Sequence, residues 1–310
     1  MSVNLSERKT ITAAEIKAAA LRFGASVCGI GDIAGFEGEH PQRDPKQILP
    51  KAKCIIGLGI AVPSAFYDAM SEGRQSYNYS TVGVKHIDEE LAEILLFKLA
   101  AIIENNGWDA CTQRMISNLK IKGDKSTNPE VIDTYELIHA VPVAEGKPVP
   151  DVIIDFGRAV KVCGLGEVGK SGRILSPKYG PYIRWAFIIT DCPLECDPEF
   201  EGGLCDNCGK CITACPGNAI SDEGLDTWQC SVYYKGAHRS NPFMKDDFLK
   251  DNPNREAILN GEYRFNAESA RAIYPELKFL PKINYGYSPC LCGKACDVAC
   301  RKHLKESGRI

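Results

Sequence analysis

The sequence has no stretch approaching the roughly eighteen consecutive apolar residues of a membrane-spanning helix, so no membrane partner is expected. It has no run of basic residues, and its formal net charge is −3. Both argue against a dedicated nucleic-acid surface and leave nucleic acid only the role of a substrate held by a local patch. The first residues, Met1 to Thr12, are polar and contain neither an apolar core nor twin arginines. No export signal is expected from them, and the expected location is cytoplasmic, in a cell that is often anaerobic.

Cysteine, by contrast, is abundant. Fifteen among 310 residues is an odd count, and eleven lie at or after Cys192. That distribution suits thiolate ligation in a reducing cytosol better than paired disulfides. Hydrophobic content of 44% and charged content of 25% are ordinary for a globular chain, and the length allows two domains whose cores need no staples.

The densest stretch is Cys205-Asp-Asn-Cys208-Gly-Lys-Cys211-Ile-Thr-Ala-Cys215-Pro216. Its C-x2-C-x2-C-x3-C-P spacing is that of bacterial ferredoxins, in which three thiolates hold one iron–sulfur cube and the fourth reaches a second. The remaining ligands must come from the isolated Cys230 and from the tail, Cys290, Cys292, Cys296 and Cys300. The assignment for two [4Fe–4S] clusters places Cys205, Cys208, Cys211 and Cys300 on one, and Cys215, Cys230, Cys292 and Cys296 on the other. Cys290 is the alternate for Cys292, since neither gives the usual two-residue gap to Cys296. A structural zinc would favour two spaced pairs, which this pattern is not.

Upstream, Thr12 and Glu15 form a capping box, and Ile16, Ala19, Ala20 and Phe23 mark a first helix that stops at Gly24. Strands are expected at Ser26–Ile30, at Lys53–Val62 as a fully buried run, at Val152–Phe156 and at Ile183–Thr190. Cys28 and Cys54 read as small buried hydrophobes within them. The longest helical pattern starts at Asp88, carries Leu91, Ile94, Leu95, Ile102 and Ile103 on one face, and ends at Gly107. Tyr77 to Gly83 before it reads as an aromatic loop, and Lys235 to Tyr287 as a polar excursion, helical at Arg255–Leu259 and Ala267–Ile273. Helix and strand alternating in this way argue an α/β or α+β fold for the first two thirds.

Gly164-Leu-Gly-Glu-Val-Gly169-Lys170-Ser171 matches both phosphate-loop patterns, G-x-x-x-x-G-K-S and G-x-G-x-x-G. Both patterns need a strand running into the glycines and a sustained helix behind them. Here Arg158 to Cys163 reads as a helix before the glycines, and Gly172 and Pro177 allow little helix after them. A nucleotide site using Lys170 stands as one reading, with Ala186 to Asp191 as its second strand. The other is a glycine turn whose amides approach a different bulky cofactor.

The turn continues as Ser171-Gly-Arg-Ile-Leu-Ser-Pro-Lys-Tyr-Gly-Pro181, followed by a strand, an acidic Pro-Leu-Glu and the ferredoxin run. This order resembles the reductive dehalogenase and epoxyqueuosine reductase superfamily. Trp228-Gln-Cys230-Ser-Val-Tyr233-Tyr234 is similar to that family's isolated cysteine before a tyrosine, a ligand of the second cluster. The resemblance implies a nitroreductase-like, corrinoid-binding domain over 1–192 and a double-cluster ferredoxin-like domain over 193–310, with the excursion at 235–287. It implies two [4Fe–4S] clusters and a cobalamin, with electrons from reduced ferredoxin or flavodoxin passing through the clusters to cobalt, which reduces a small organic substrate.

Cofactor contacts are implied at Gly164, Gly166, Gly169, Lys170, Ser176, Tyr179 and Gly180. No histidine sits in the D-x-H-x-x-G context of corrinoid methyltransferases, which suits a corrinoid with its lower base displaced and no protein ligand. For proton supply the resemblance implies an aspartate ahead of the glycine turn or a tyrosine beside a cation. That makes Asp155 (or Asp151) and Tyr79 the candidates, with Lys170, Lys178 and Arg184 as cationic partners; each has an ordinary alternative as a cap, packing or ion-pair residue. The family also shows departures: respiratory dehalogenases are exported and longer, and epoxyqueuosine reductases usually carry a further helical region for tRNA, whereas this chain runs ten residues beyond Cys300. The substrate is therefore open, with tRNA the one nucleic acid in view. An electron-transfer or corrinoid-reactivating protein without a substrate of its own is the rival reading.

Overall fold

The computed structural model describes residues 8–115, 121–122, 138–139, 142, 144–148, 152–281 and 288–310. Asp151 lies outside them. Two units interleave along the sequence: Met1–Ala61, Ile87–Glu167 and Ile183–Gly202 make the first, and Val62–His86, Val168–Tyr182 and Gly203–Ile310 the second. The cysteine-rich unit thus takes in two segments that precede residue 193.

The first unit is built on an antiparallel sheet of β1 (Val27–Asp32), β2 (Cys54–Ala61), β3 (Ala110–Arg114) and β4 (Ile183–Thr190), in the order β1-β2-β4-β3. The two central strands are buried along nearly their whole length, which is why they read as continuous apolar runs rather than alternating ones. Helix α1 (Ala13–Phe23) begins where Thr12 Oγ1 accepts the Glu15 N–H at 3.2 Å and the Glu15 carboxylate accepts the Thr12 N–H at 2.8 Å. It ends at Gly24, whose φ of 116° suits glycine. Its buried residues Ile16, Ala19 and Ala20 are those of the expected stripe.

The predicted long helix is α2 (Ala92–Asn105), but its buried face is Ala92, Leu95, Leu96, Leu99 and Ile103. Leu91 and Ile94, expected inside, are 52% and 53% exposed. Residues Thr81–Leu91 ahead of it are π-helical, and the wider turn rotates the face away from a simple 3.6-residue extrapolation. The segment Tyr77 to Gly83 is accordingly not a loop: Asn78–Ser80 is a helical turn leading into that π-helix, and Tyr79 is buried.

The strand expected at Val152–Phe156 does not form. The chain is irregular up to Asp155, whose carboxylate accepts the Arg158 N–H at 2.8 Å and so starts α3 (Phe156–Val162) two residues before the Arg158 start read from the sequence. The end of α3 lies against the sheet at its glycines. A Cβ at Gly29 would fall 2.1 Å from the Cys163 carbonyl oxygen, and one at Gly57, its register partner on β2, 2.8 Å from Leu165. Strand glycine here marks a close backbone approach.

In the second unit, α4 (Lys210–Ala214) and α5 (Thr227–Tyr234) flank Cys215, and α6 (Arg255–Leu259) and α7 (Ala267–Ile273) form the excursion, at the bounds the sequence suggested. The excursion has its own core of Trp228, Val232, Tyr233, Phe248, Ile258, Phe265 and neighbours. Gln229, fully buried, ties it to α5 by donating to the Gly217 and Tyr263 carbonyls at 2.8 and 2.9 Å and accepting the Phe265 N–H at 3.0 Å. The last helix, α8 (Ala295–Glu306), carries Cys296 and Cys300 back to α4. Among the described residues no helix is long and apolar enough to cross a membrane.

Candidate metal centre

The ferredoxin run starts as an extended loop and turns into α4 only after Gly209, whose φ of 73° reverses the chain between Cys208 and Cys211. Cys300, one turn along α8 from Cys296, comes in from the far end of the sequence. Cys205, Cys208, Cys211 and Cys300 line one recess, together with Gly169, Lys170 and Leu204. Four soft sulfur donors around one recess suit an iron–sulfur cube. The Lys170 N–H points at the Cys205 sulfur, 3.4 Å away, a hydrogen bond of the kind that tunes a cluster's potential.

In the other predicted quartet, the charges of Cys292 and Cys215 add to the burial that raises the Cys230 thiol, and that of Cys292 adds to the burial that raises Cys296. The Ala219 N–H donates to the Cys215 sulfur at 3.3 Å. The sulfurs of Cys290 and Cys292 are 3.7 Å apart, so the geometry keeps the alternate ligand beside the assigned one.

Burial is the largest influence on the thiols of Cys230, Cys296 and Cys300. It pushes Cys230 up to about 11 and Cys300 up to about 12, while Cys296 rises well above the ordinary thiol range. Such groups are protonated at neutral pH unless a cation displaces the proton, as iron does.

Several of the catalytic and corrinoid candidates have partners within their own unit. Asp155 caps α3 and pairs with Arg43 at 3.2 Å. Arg184 makes a buried two-pronged pair with Asp88: its Nε donates to Oδ1 at 2.9 Å and its Nη2 to Oδ2. Lys170 Nζ is 2.6 Å from Asp222. Lys178 lies 5.3 Å over the ring of Tyr179.

The glycines of the turn are accounted for by the chain itself. Gly164 (φ 70°) abuts the Pro198 carbonyl, where a Cβ would stand at 2.6 Å; Gly166 has φ 153°; Gly169 closes a turn through its N–H to the Arg173 carbonyl at 2.8 Å. Ser176 and Gly180 exchange backbone bonds at 2.9 and 2.8 Å, and a Cβ on Gly180 would meet Ile310 at 3.1 Å. A hairpin, with Val168 on its first arm and Ile174–Leu175 on its second, follows the glycines where a phosphate-binding loop needs a helix. That removes the structural context for the nucleotide reading.

Tyr79, the other described proton-donor candidate, sits among tyrosines and a lysine. Its ring is edge-on to Tyr67 at 5.1 Å, Tyr67 stacks on Tyr182 at 3.5 Å, and Lys294 Nζ lies 5.4 Å from the Tyr79 ring and 5.8 Å from that of Tyr234. Lys294 and Arg173 both face the fully buried Asp297, at 3.7 and 3.3 Å. Sequence reasoning passed over these three residues. The available signal was Cys292-Gly-Lys294, which repeats Cys208-Gly-Lys210 at the start of the other helix-turn.

Comparison with known proteins bears on the same region. A 4Fe–4S binding domain matches residues 198–221. The chain is 29% identical to an epoxyqueuosine reductase of Bacillus subtilis over 73% of its own length and 50% of that protein. It is 43% identical over 63 residues to a tetrachloroethene reductive dehalogenase of Desulfitobacterium hafniense, 19% of this chain and 11% of that one. It spans about half the length of the epoxyqueuosine reductases it matches most broadly. A catabolic reductive dehalogenase solved with 3-bromo-4-hydroxybenzoic acid shares the fold at a TM-score of 0.50 and 17% identity, over 84% of this chain and 35% of that one. The chain is thus similar to epoxyqueuosine reductases and to reductive dehalogenases, both named as oxidoreductases, and its ferredoxin run lies within the matched 4Fe–4S domain.

Proposed function

We propose that the chain is a corrinoid-dependent iron–sulfur reductase, taking electrons one at a time from a reduced ferredoxin or flavodoxin and delivering them to a small organic substrate. The observation that carries the iron–sulfur part is the meeting of Cys205, Cys208, Cys211 and Cys300, up to 95 residues apart in sequence, around a single recess. Two [4Fe–4S] clusters would be held by that quartet and by Cys215, Cys230, Cys296 and Cys292 or Cys290. Bound there they supply one-electron transfer at low potential, in the region of roughly −400 mV or below.

The chain's own contribution is to aim backbone N–H groups at the sulfurs, as Lys170 and Ala219 do at Cys205 and Cys215. Cobalamin enters the proposal through the family resemblance alone; Gly164, Gly169 and Gly180 pack closely on the chain itself. Tyr79, buried beside Lys294, remains the proposed proton donor. Asp155 and Arg184 are assigned instead to a helix cap and a buried ion pair.

A second reading, a shuttle that passes electrons to another protein's cobalt, is favoured by one observation: Lys170, Arg184 and Asp155 are each already held by a protein partner of opposite charge. Anaerobic reconstitution with iron, sulfide and cobalamin, followed by gel filtration and an ultraviolet–visible spectrum, separates the two. Iron–sulfur absorption with stoichiometric cobalamin supports the reductase. Iron–sulfur absorption with no retained cobalamin leaves the shuttle.

A further inference from the structure

We infer that Arg173 and Lys294, pinned by the buried carboxylate of Asp297, are positioning residues that raise the reduction potential of the cluster held by Cys215, Cys230, Cys292 or Cys290, and Cys296. The inference rests on the ligand assignment proposed above.

Three observations carry it. Asp297 is fully buried, follows Cys296 directly, and faces two cations, Arg173 Nε at 3.3 Å and Lys294 Nζ at 3.7 Å. One cation would neutralise it. A second, with only 13% of its side chain exposed, is a surplus positive charge in a place of low dielectric, and such a charge is costly unless something negative lies beside it. The Asp297 Oδ2 oxygen also has no hydrogen-bond partner, so the group is balanced by charge at a distance and not by a closed hydrogen-bond network.

Secondly, Lys294 holds a left-handed backbone, φ 50° and ψ 37°, at the start of α8, a strained choice for a lysine where glycine would be at ease. Its Nζ lies 5.4 Å from the ring centre of Tyr79 and 5.8 Å from that of Tyr234.

Thirdly, both cations stand beside the same ligands. Lys294 lies two residues from both Cys292 and Cys296, and Arg173 Nε faces, at 3.3 Å, the Asp297 Oδ1 oxygen that lies 3.6 Å from the Cys296 sulfur. A thiolate-bound cube is an anion that gains a further negative charge on reduction. Fixed positive charge beside it therefore favours the reduced state and raises the potential.

The sign pattern is what a purely structural role would not produce. In full-length protein reconstituted with iron and sulfide, redox titrations followed by electron paramagnetic resonance should show one cluster shifted to more negative potential in Arg173→Gln and in Lys294→Gln. Arg173→Lys should restore it, and Asp297→Asn should shift it the opposite way. Unchanged potentials in Arg173→Gln and Lys294→Gln at full iron content overturn the inference, as does loss of the cluster in every substituted chain, which would make the three residues structural. A wild-type chain that takes up only one cluster overturns the ligand assignment instead.

Discussion

Arg184 was a candidate cation for catalysis, and the structure makes it a structural anchor, which can be tested by its cost in stability. Its guanidinium bonds both oxygens of Asp88, and the two residues are 9% and 2% exposed. Arg184→Met leaves a buried carboxylate with its main cation removed, and breaking a buried pair from one side costs roughly 3–5 kcal/mol. Replacing both, as Arg184→Met with Asp88→Leu, removes the uncompensated charge and should recover most of that loss. Asp88 also lies in the π-helical segment Thr81–Leu91, so the single substitution loosens the entry to α2. With an m-value near 3 kcal/mol per molar urea, the anaerobic unfolding midpoint should fall by about 1–1.7 M in the single variant. A midpoint unmoved by Arg184→Met, or a double variant no more stable than the single one, would refute the reasoning.

Burial depresses His238 to about 4, although the Leu291 carbonyl 3.1 Å from its Nε2 works the other way. An unfolded chain binds this proton below the ordinary imidazole pKa near 6.5 while the folded one does not, so stability should be full above about pH 6.5 and decline toward pH 4, by on the order of 2–3 kcal/mol. Urea midpoints between pH 7 and 5 should show that slope in the wild type and lose it in His238→Gln; parallel slopes would remove His238 as the cause. Gly217→Ala places a methyl where the Tyr233 ring stands 2.1 Å away, so it should destabilise the core of the excursion by at least the ~1–3 kcal/mol of ordinary overpacking. Limited proteolysis should then cut within 235–281, and an unaltered digest would contradict the packing described. Lys170→Ala should leave the chain as unable to retain ATP as the wild type, since Lys170 is committed to Asp222 and no helix follows the glycines; retention that Lys170→Ala abolishes would restore the nucleotide reading.

Where a local rule fixes an element, the sequence was enough to find it. The Thr12–Glu15 capping box, the wholly buried strands β2 and β4 and the two helices of the excursion are all legible as short-range patterns. The π-helix was not, because an extra residue per turn leaves no compositional mark, and it misplaced Leu91 and Ile94. Val152–Phe156 failed for another reason: a short apolar run cannot by itself choose between strand and helix, and the Asp155 cap decided it. At the metal centre, cysteine spacing predicts which sulfurs must meet, since the chemistry demands a quartet. It says nothing of Arg173 and Asp297, more than a hundred residues apart and brought face to face only by the return of α8.

The most direct test is a count of iron and acid-labile sulfide, with Mössbauer spectra, on the anaerobically reconstituted chain and on Cys230→Ala. The account predicts about eight irons in the wild type and about four in the variant, with the surviving signal that of one [4Fe–4S] cluster. About four irons in both, or zinc in place of iron, would contradict it.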